Sequence, residues 1–86
     1  MILEIQNEKG LHARASAKFV ETVERFDANA DVAREGMNAS GDSIMGLLML
    51  AAAKGTKIEV TTDGPQATAL AEALKALVNG LFGEGK

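Results

Sequence analysis

The sequence predicts an α+β fold: an open-faced two-layer sandwich with a four-stranded antiparallel sheet covered on one face by three helices. Alternating and helical hydrophobic patterns follow one another along the chain in the order β-α-β-β-α-β-α. The 86 residues suffice for one small domain, which we expect to span 1–86. Apolar residues make up 47% of the chain and aromatic residues only 3%, so the core should be mainly aliphatic.

The first two elements follow from a change in period. Residues 2–6 alternate apolar and polar side chains, as in a half-buried strand, and 7–10 should form a loop. Helical spacing holds from about residue 14 and ends near 27–29. The apolar face of this helix should consist of Phe19, Val20, Val23 and Phe26.

A hairpin and a second helix are predicted next. In the segment 28–36, ANADVAREG, Ala30 and Val32 alternate with Asp31 as in a strand, and the chain should turn at Gly36 and return as the strand 37–40. A helix should then begin after the turn 41–43, and we expect Gly55 to end it in a left-handed conformation. One face of this helix should be lined by Ile44, Leu47, Leu48 and Ala51.

The last strand, 57–61, alternates again, and the segment 63–65 opens the final helix. Pro65 is expected at the start of this helix, where the N–H group that proline lacks would have no intrahelical acceptor. The buried stripe of this helix should be Leu70, Leu74, Leu77 and Leu81. We expect the tail 83–86, GEGK, to be frayed.

Composition excludes several classes of function. The net charge of −3 and the pI of about 5.0 leave no basic stripe for nucleic acid. The chain lacks cysteine, which excludes disulfides and Cys-ligated zinc, and its single histidine makes a metal site unfavourable. The apolar run 44–53 is too short to span a bilayer. We therefore predict no cofactor, no membrane insertion and a cytoplasmic protein.

His12, the only histidine, precedes the first predicted helix. A lone histidine in a loop is usually an ordinary surface residue. Here, however, the helix start offers unpaired N–H groups and the positive end of the helix dipole. Arg14 adds a fork of donors suited to phosphate oxygens, and Gly10 permits unusual backbone angles that could aim the ring.

Imidazole is largely neutral at pH 7, so a ring nitrogen is available as a nucleophile. A nucleophile beside an anion site makes a phosphoryl group a credible cargo. The chain has no second histidine, no P-loop and no paired acidic cluster with metal-binding spacing. The pattern therefore favours carrying a phosphoryl group over making or hydrolysing one.

Two segments resemble the signatures of HPr, the histidine-containing phosphocarrier family of the bacterial phosphotransferase system. GLHARASAKFV, 10–20, is similar to the active-site motif. GDSIMGLLMLAAAKGTKIEV, 41–60, is similar to the second signature. The resemblance implies that His12 accepts a phosphoryl group on Nδ1 from phosphorylated Enzyme I, which phosphoenolpyruvate charges. His12 would pass it to a histidine of an Enzyme IIA-type protein, with Arg14 neutralising its charge, and the protein would be a carrier and not an enzyme.

The resemblance also assigns two further positions. Family members usually have proline after the arginine, whereas this chain has Ala15, which makes the helix entry less rigid and frees one N–H. Ser43 occupies the position of the regulatory serine that HPr kinase/phosphorylase modifies in many bacteria. A serine before an apolar helix is also a favoured N-cap, and Asp42 would repel an added phosphate. Both readings of Ser43 stay open.

The docking surface for partners should surround His12. An apolar patch is predicted from the second helix, because its large side chains cannot all face the core, whereas Leu47 is expected to be buried. Charged positions on the outward side of the first helix could meet acidic partners or could be solvated. The candidate docking residues are Ala13, Lys18, Ile44, Met45 and Leu48.

Two other classes compete with the phosphocarrier. A docking-only regulatory module switched by phosphorylation at Ser43 is the first, and the pairing of His12 with Arg14 counts against it as the sole role. The second is a small-molecule-binding domain with a structural His12, which would need a concave pocket. Within the phosphocarrier reading, sugar uptake and the nitrogen-related branch both fit. A shuttle that shows one face to successive partners should be a monomer.

Overall fold

The computed structural model describes residues 1–86 and confirms the predicted α+β class and order of elements. The elements are β1 (Ile2–Glu4), α1 (Ala13–Glu24), β2 (Asn29–Arg34), β3 (Met37–Ser40), α2 (Ile44–Met49), β4 (Lys57–Asp63) and α3 (Ala67–Asn79). A short 3-10 turn, Leu81–Gly83, follows α3. None of the helices has the length and apolarity that crossing a membrane requires.

The four strands form one antiparallel sheet in the order β1-β4-β2-β3. Alternation along the strands sends Leu3, Val32 and Val60 toward the helices, where each is at most 5% exposed. The opposite face stays uncovered, and we call it the open face. It presents Ile2, Glu4, Asn29, Asp31, Lys57, Glu59 and Thr61.

One hydrophobic core of 19 buried residues lies between the sheet and the helices. Phe19 from α1, Leu47 from α2 and Leu70 from α3 are each 0% exposed. The core is aliphatic apart from two buried phenylalanines, Phe19 and Phe82, as the composition predicts. Burial of these apolar faces positions the N-terminus of α1, and with it His12, at one end of the helical layer.

The predicted end of the second helix is wrong. Helix α2 stops at Met49, and the left-handed residue is Ala51, with φ 51°. Gly55 does have positive φ, 89°, but it lies in a separate turn before β4. The chain leaves the helix early because the Ala52 carbonyl accepts a hydrogen bond from the Leu11 N–H at 2.9 Å. Ala51 is consequently exposed instead of lining the helix face.

Other boundaries also differ from the predictions. Strand β1 ends at Glu4, and α1 ends at Glu24 instead of near 27–29. Pro65 lies outside α3, which begins two residues later, because Gln66 first pairs with Asp27: the Asp27 N–H donates to Gln66 Oε1 at 2.7 Å.

The predicted buried stripe of the last helix is half correct. Leu70 and Leu74 are buried, whereas Leu77 and Leu81 are partly exposed. Val78 and Phe82 continue the buried stripe instead. Phe82 reaches the core because α3 has ended at Asn79, and the positive φ values of Leu81 and Phe82, 59° and 52°, turn the chain inward.

Candidate functional site

His12 is the N-cap residue of α1, with extended backbone angles (φ −77°, ψ −176°). The first hydrogen bond of this helix runs from the Ser16 N–H to the His12 carbonyl at 2.8 Å. No side chain caps the helix, so the N–H groups of Ala13, Arg14 and Ala15 have no intrahelical acceptor. The histidine therefore stands beside three free donors at the positive end of a helix dipole.

Gly10 fixes the approach of the chain to His12. Its φ is +64°, and a Cβ atom there would lie 2.5 Å from the Ala52 carbonyl oxygen. Only glycine combines this left-handed angle with such close backbone packing. The Gly10 carbonyl also accepts a 2.8 Å hydrogen bond from Nδ2 of the buried Asn7. The loop before the histidine is thus held by both sequence-local and distant contacts.

The imidazole ring of His12 contacts the C-terminal segment of the chain. Its Nε2 atom is hydrogen bonded to Oε2 of Glu84, and the His12 side chain is 27% exposed. The other carboxylate oxygen of Glu84 accepts a 3.0 Å hydrogen bond from Asn7 Nδ2. Nδ1 of His12 makes no hydrogen bond within the protein. The ring nitrogen left free is therefore Nδ1.

These contacts contradict the prediction that the tail 83–86 is frayed. Besides the Glu84 pair, the Lys86 carbonyl accepts a 3.2 Å hydrogen bond from the Glu8 N–H, and the Phe82 carbonyl accepts one from Lys18 Nζ at 2.6 Å. The tail closes over the segment before α1 because Asn7, Glu8 and His12 bind it there, and Lys18 binds the adjacent Phe82. Sequence reasoning missed both Glu84 and Asn7 as residues of this site.

The ionisation of Glu84 is shifted by this environment. Burial alone would raise the pKa of its carboxyl group, but hydrogen bonds from His12 and Asn7 and the charges of His12 and Lys18 outweigh that effect. The net pKa lies below the ordinary value of 4.5. Glu84 is therefore a carboxylate at neutral pH, opposite a ring that can become a cation.

Arg14 is exposed and makes no ion pair, so its guanidinium remains available to an incoming anion. It borders a polar pocket of about 420 Å³ next to the tail. No hydrophobic residue lines the pocket, which is formed by Glu8, Lys9, Arg14, Lys18, Gly83, Glu84 and Lys86. Positive charge thus gathers close to His12 although the chain as a whole is acidic.

Ser43 lies at the N-cap of α2, away from the first motif in sequence. Its Oγ accepts a 3.0 Å hydrogen bond from the Gly46 N–H, and its side chain is half-buried. Asp42 Oδ1 accepts a 2.5 Å hydrogen bond from Ser40 Oγ, so this carboxylate is already engaged. The capping geometry is the one that a serine before an apolar helix predicts.

The predicted docking residues differ in exposure. Ile44 and Met45 are 41% and 69% exposed, whereas Leu48 is half-buried and Leu47 is buried. Met49, which we did not predict, is the most exposed large apolar residue at 74%. It stands four positions after Met45, and this helical spacing places both on one face of α2.

The other two predicted docking residues lie on α1. Ala13 is exposed at the start of the helix, and Lys18 is half-buried with its ammonium group on the Phe82 carbonyl. Backbone contacts connect this region to the end of α2, because Ala52 and Ala53 pack against Gly10 and Ala52 hydrogen bonds to Leu11. The apolar surface of α2 and the loop carrying His12 are therefore structurally joined.

Comparison with known proteins identifies the relatives of this chain. A family model described as "PTS HPr component phosphorylation site" matches residues 2–80. The phosphocarrier protein HPr of Neisseria meningitidis is 51% identical over 84 residues, which is 98% of this chain and 94% of the relative. The HPr of Cupriavidus necator is 43% identical over 82 residues, covering 95% and 92%.

Solved structures agree with this relationship. HPr-C-His from Thermoanaerobacter tengcongensis superimposes with a TM-score of 0.93 at 32% identity, covering 98% of this chain and 94% of that chain. A phosphocarrier protein HPr from Bacillus anthracis gives a TM-score of 0.86 at 36% identity, covering 91% and 93%. Sequence and fold thus agree, and the chain belongs to the HPr family of phosphocarrier proteins of the phosphotransferase system.

Proposed function

We propose that this chain accepts a phosphoryl group on Nδ1 of His12 from phosphorylated Enzyme I and donates it to a histidine of an Enzyme IIA-type protein. Two observations on His12 carry this proposal. It is the N-cap residue of a helix whose first three N–H groups have no intrahelical acceptor, and its Nδ1 atom makes no hydrogen bond within the protein. Membership of the HPr family supports the same cargo.

In the transfer, the lone pair of Nδ1 attacks phosphorus while the bond from phosphorus to the donor breaks and its electron pair returns to the donor. The transferred group carries negative charge on its peripheral oxygens. Its transfer therefore depends mainly on positioning of the reactants and on electrostatic stabilisation of this charge. The amides of Ala13–Ala15 and the helix dipole supply fixed donors for these oxygens. Arg14 supplies a fork of charged donors that can pair with two oxygens at once.

The protein acts as a carrier: it is charged and discharged stoichiometrically, and each transfer takes place in a complex with a partner. The partners we propose are Enzyme I, Enzyme IIA-type domains and, for Ser43, an HPr kinase/phosphorylase. We propose that the protein meets these partners in the cytoplasm. The exposed side chains of Ile44, Met45 and Met49 offer an adaptable apolar surface for their docking.

The test is intact-mass measurement after incubation with phosphoenolpyruvate, Mg²⁺ and an Enzyme I from the same cell. We expect the gain of one phosphate that mild acid removes, and no gain in His12→Ala. An Enzyme I that charges another carrier but leaves this protein unmodified would contradict the proposal. Such a result would favour the alternative function, a docking-only regulator that acts through Ser43.

A further inference from the structure

The contact between Glu84 and His12 lies outside both sequence motifs and has a chemical consequence for the transfer. Of the two ring nitrogens, Nε2 is the one that faces the carboxylate oxygen of Glu84. A carboxylate only accepts hydrogen bonds, so Nε2 must carry a proton for this contact to be favourable. In the neutral ring the other nitrogen, Nδ1, then holds the free lone pair.

Asn7 fixes the direction of that carboxylate. It is 0% exposed, and its Nδ2 group donates to Gly10 O at 2.8 Å and to Glu84 Oε1 at 3.0 Å. The reversed amide would set its oxygen against two acceptors, so the hydrogen-bond network assigns the orientation. Its Oδ1 is buried with no partner in the protein, which is a cost that the two donated hydrogen bonds must offset.

We propose that Glu84 is a positioning residue that keeps the proton on Nε2 of His12 during both phosphoryl transfers, and that Asn7 holds Glu84 in place. This inference rests on the proposed function. When Nδ1 bonds to phosphorus, the ring retains its Nε2 proton and becomes a cation, which the facing carboxylate stabilises. When the group leaves, the electron pair of the Nδ1–P bond returns to the ring and the neutral tautomer forms again.

Loss of the Nε2 proton would slow the second transfer. The departing ring would then carry a negative charge, and such an imidazolate is a much poorer leaving group than a neutral imidazole. Glu84 thus serves acceptance by directing the lone pair to Nδ1, and it serves donation by keeping the ring easily displaced. Its side chain is 13% exposed, so water competes little with His12 for the carboxylate.

The first readout of the test needs no partner protein. His12 is the only histidine, so ¹⁵N-histidine labelling gives a single ring, and its Nε2-bound proton should be visible in a ¹H–¹⁵N spectrum near neutral pH. We expect Glu84→Ala to lose that signal by solvent exchange and Glu84→Gln to retain it, because the amide oxygen still accepts. Glu72→Ala, an exposed site on α3 with the same change of charge, is the control.

The second readout is the rate of phosphorylation by phosphoramidate and, separately, by phosphoenolpyruvate with Enzyme I. We expect Glu84→Ala to lower both rates about tenfold and Glu84→Gln to have a smaller effect, with Glu72→Ala unchanged. An Nε2 signal that persists in Glu84→Ala, or unchanged rates, would overturn the inference. Failure of Enzyme I alone to charge the wild-type protein would refute the proposed function, while the spectrum and phosphoramidate would still decide the role of Glu84.

Discussion

Lys18 Nζ donates a 2.6 Å hydrogen bond to the carbonyl oxygen of Phe82, which joins the middle of α1 to the turn after α3. Phe82 is itself 0% exposed and has positive φ, so its carbonyl is held by the core on one side and by Lys18 on the other. We proposed Lys18 from the sequence as a docking residue. Its ammonium group has this intramolecular partner, which orders the segment that carries Glu84.

Replacing Lys18 with methionine should loosen the tail while preserving the packing of the aliphatic stem. We expect a loss of about 1 kcal/mol in unfolding free energy, typical of one hydrogen bond. Amide exchange of residues 83–86 should accelerate more than that of the core. Urea denaturation and hydrogen exchange measure the two effects. Lys75→Met, at an exposed position on α3, is the matched control, and equal behaviour of the two variants would refute the anchoring role.

Glu84 should make stability depend on pH in the acid range. Because its folded-state pKa is lowered, the stabilisation is complete above the ordinary value of 4.5 and is lost as the pH falls through the lowered value. The charged groups around it are His12 and Lys18, with Glu8, Lys9, Arg14 and Lys86 lining the adjoining pocket.

Glu84→Gln should therefore be less stable than the wild type by on the order of 1 kcal/mol at about pH 6. This difference in stability should shrink as the pH falls below 4.5. Urea denaturation at several pH values measures this difference. A gap that is constant with pH would show that the carboxylate does not contribute through its ionisation. Glu72→Gln controls for the general loss of one negative charge.

Gly10→Ala should destabilise the fold and disturb the site together. The substitution adds the left-handed penalty and forces a Cβ to within 2.5 Å of the Ala52 carbonyl oxygen. We expect a loss of more than about 2 kcal/mol. Gly36→Ala shares the positive φ, 82°, but has no atom within 4 Å of the added Cβ, so it isolates the backbone strain. Thermal and urea denaturation measure the stability of both variants. Equal losses of unfolding free energy in Gly10→Ala and Gly36→Ala would contradict the close-packing argument.

Ser43→Ala should remove the N-cap of α2 and cost about 1 kcal/mol. Ser43→Asp should retain most of that stability, because a carboxylate oxygen can also accept from the Gly46 N–H. Urea denaturation of both variants checks the capping role. Charging of both by Enzyme I, measured by intact mass, then shows whether negative charge at this position interferes with the carrier.

Substitutions on the exposed side of α2 should weaken the binding of partner proteins without changing the stability of the fold. Met45→Glu and Met49→Glu replace side chains that are 69% and 74% exposed, so the unfolding free energy should change by less than about 0.5 kcal/mol. The concentration of Enzyme I needed for half-maximal charging should rise about tenfold if these side chains are buried in the complex. Met37→Glu, 43% exposed on β3, is the control, and an equal effect there would refute the docking surface.

Hydrophobic period and helix-start signals were sufficient to predict the element order, the class of the fold and the placement of His12 before α1. These features are local: each depends on side chains within a few positions of one another. The N-cap at Ser43 could be predicted for the same reason, because the acceptor Ser43 Oγ and the donor Gly46 N–H are three positions apart.

The features that could not be predicted depend on distant contacts. Glu84 lies 72 positions from His12, inside a glycine-rich sequence whose composition resembles that of a frayed end. Ala51 takes a left-handed conformation that alanine does not favour, because Ala52 pairs with Leu11. In both places tertiary contacts override local propensity, which a single sequence does not record.

Charge is distributed unequally between the open face of the sheet and the surroundings of Arg14. The open face exposes Glu4, Asp31 and Glu59 with only one lysine, Lys57, whereas four cationic side chains and two carboxylates line the pocket beside Arg14. A partner with an acidic surface should therefore be attracted to the side that carries Arg14 more than to the open face. Such steering weakens as salt screens the field, so the association rate should fall with ionic strength even where affinity comes from apolar contacts.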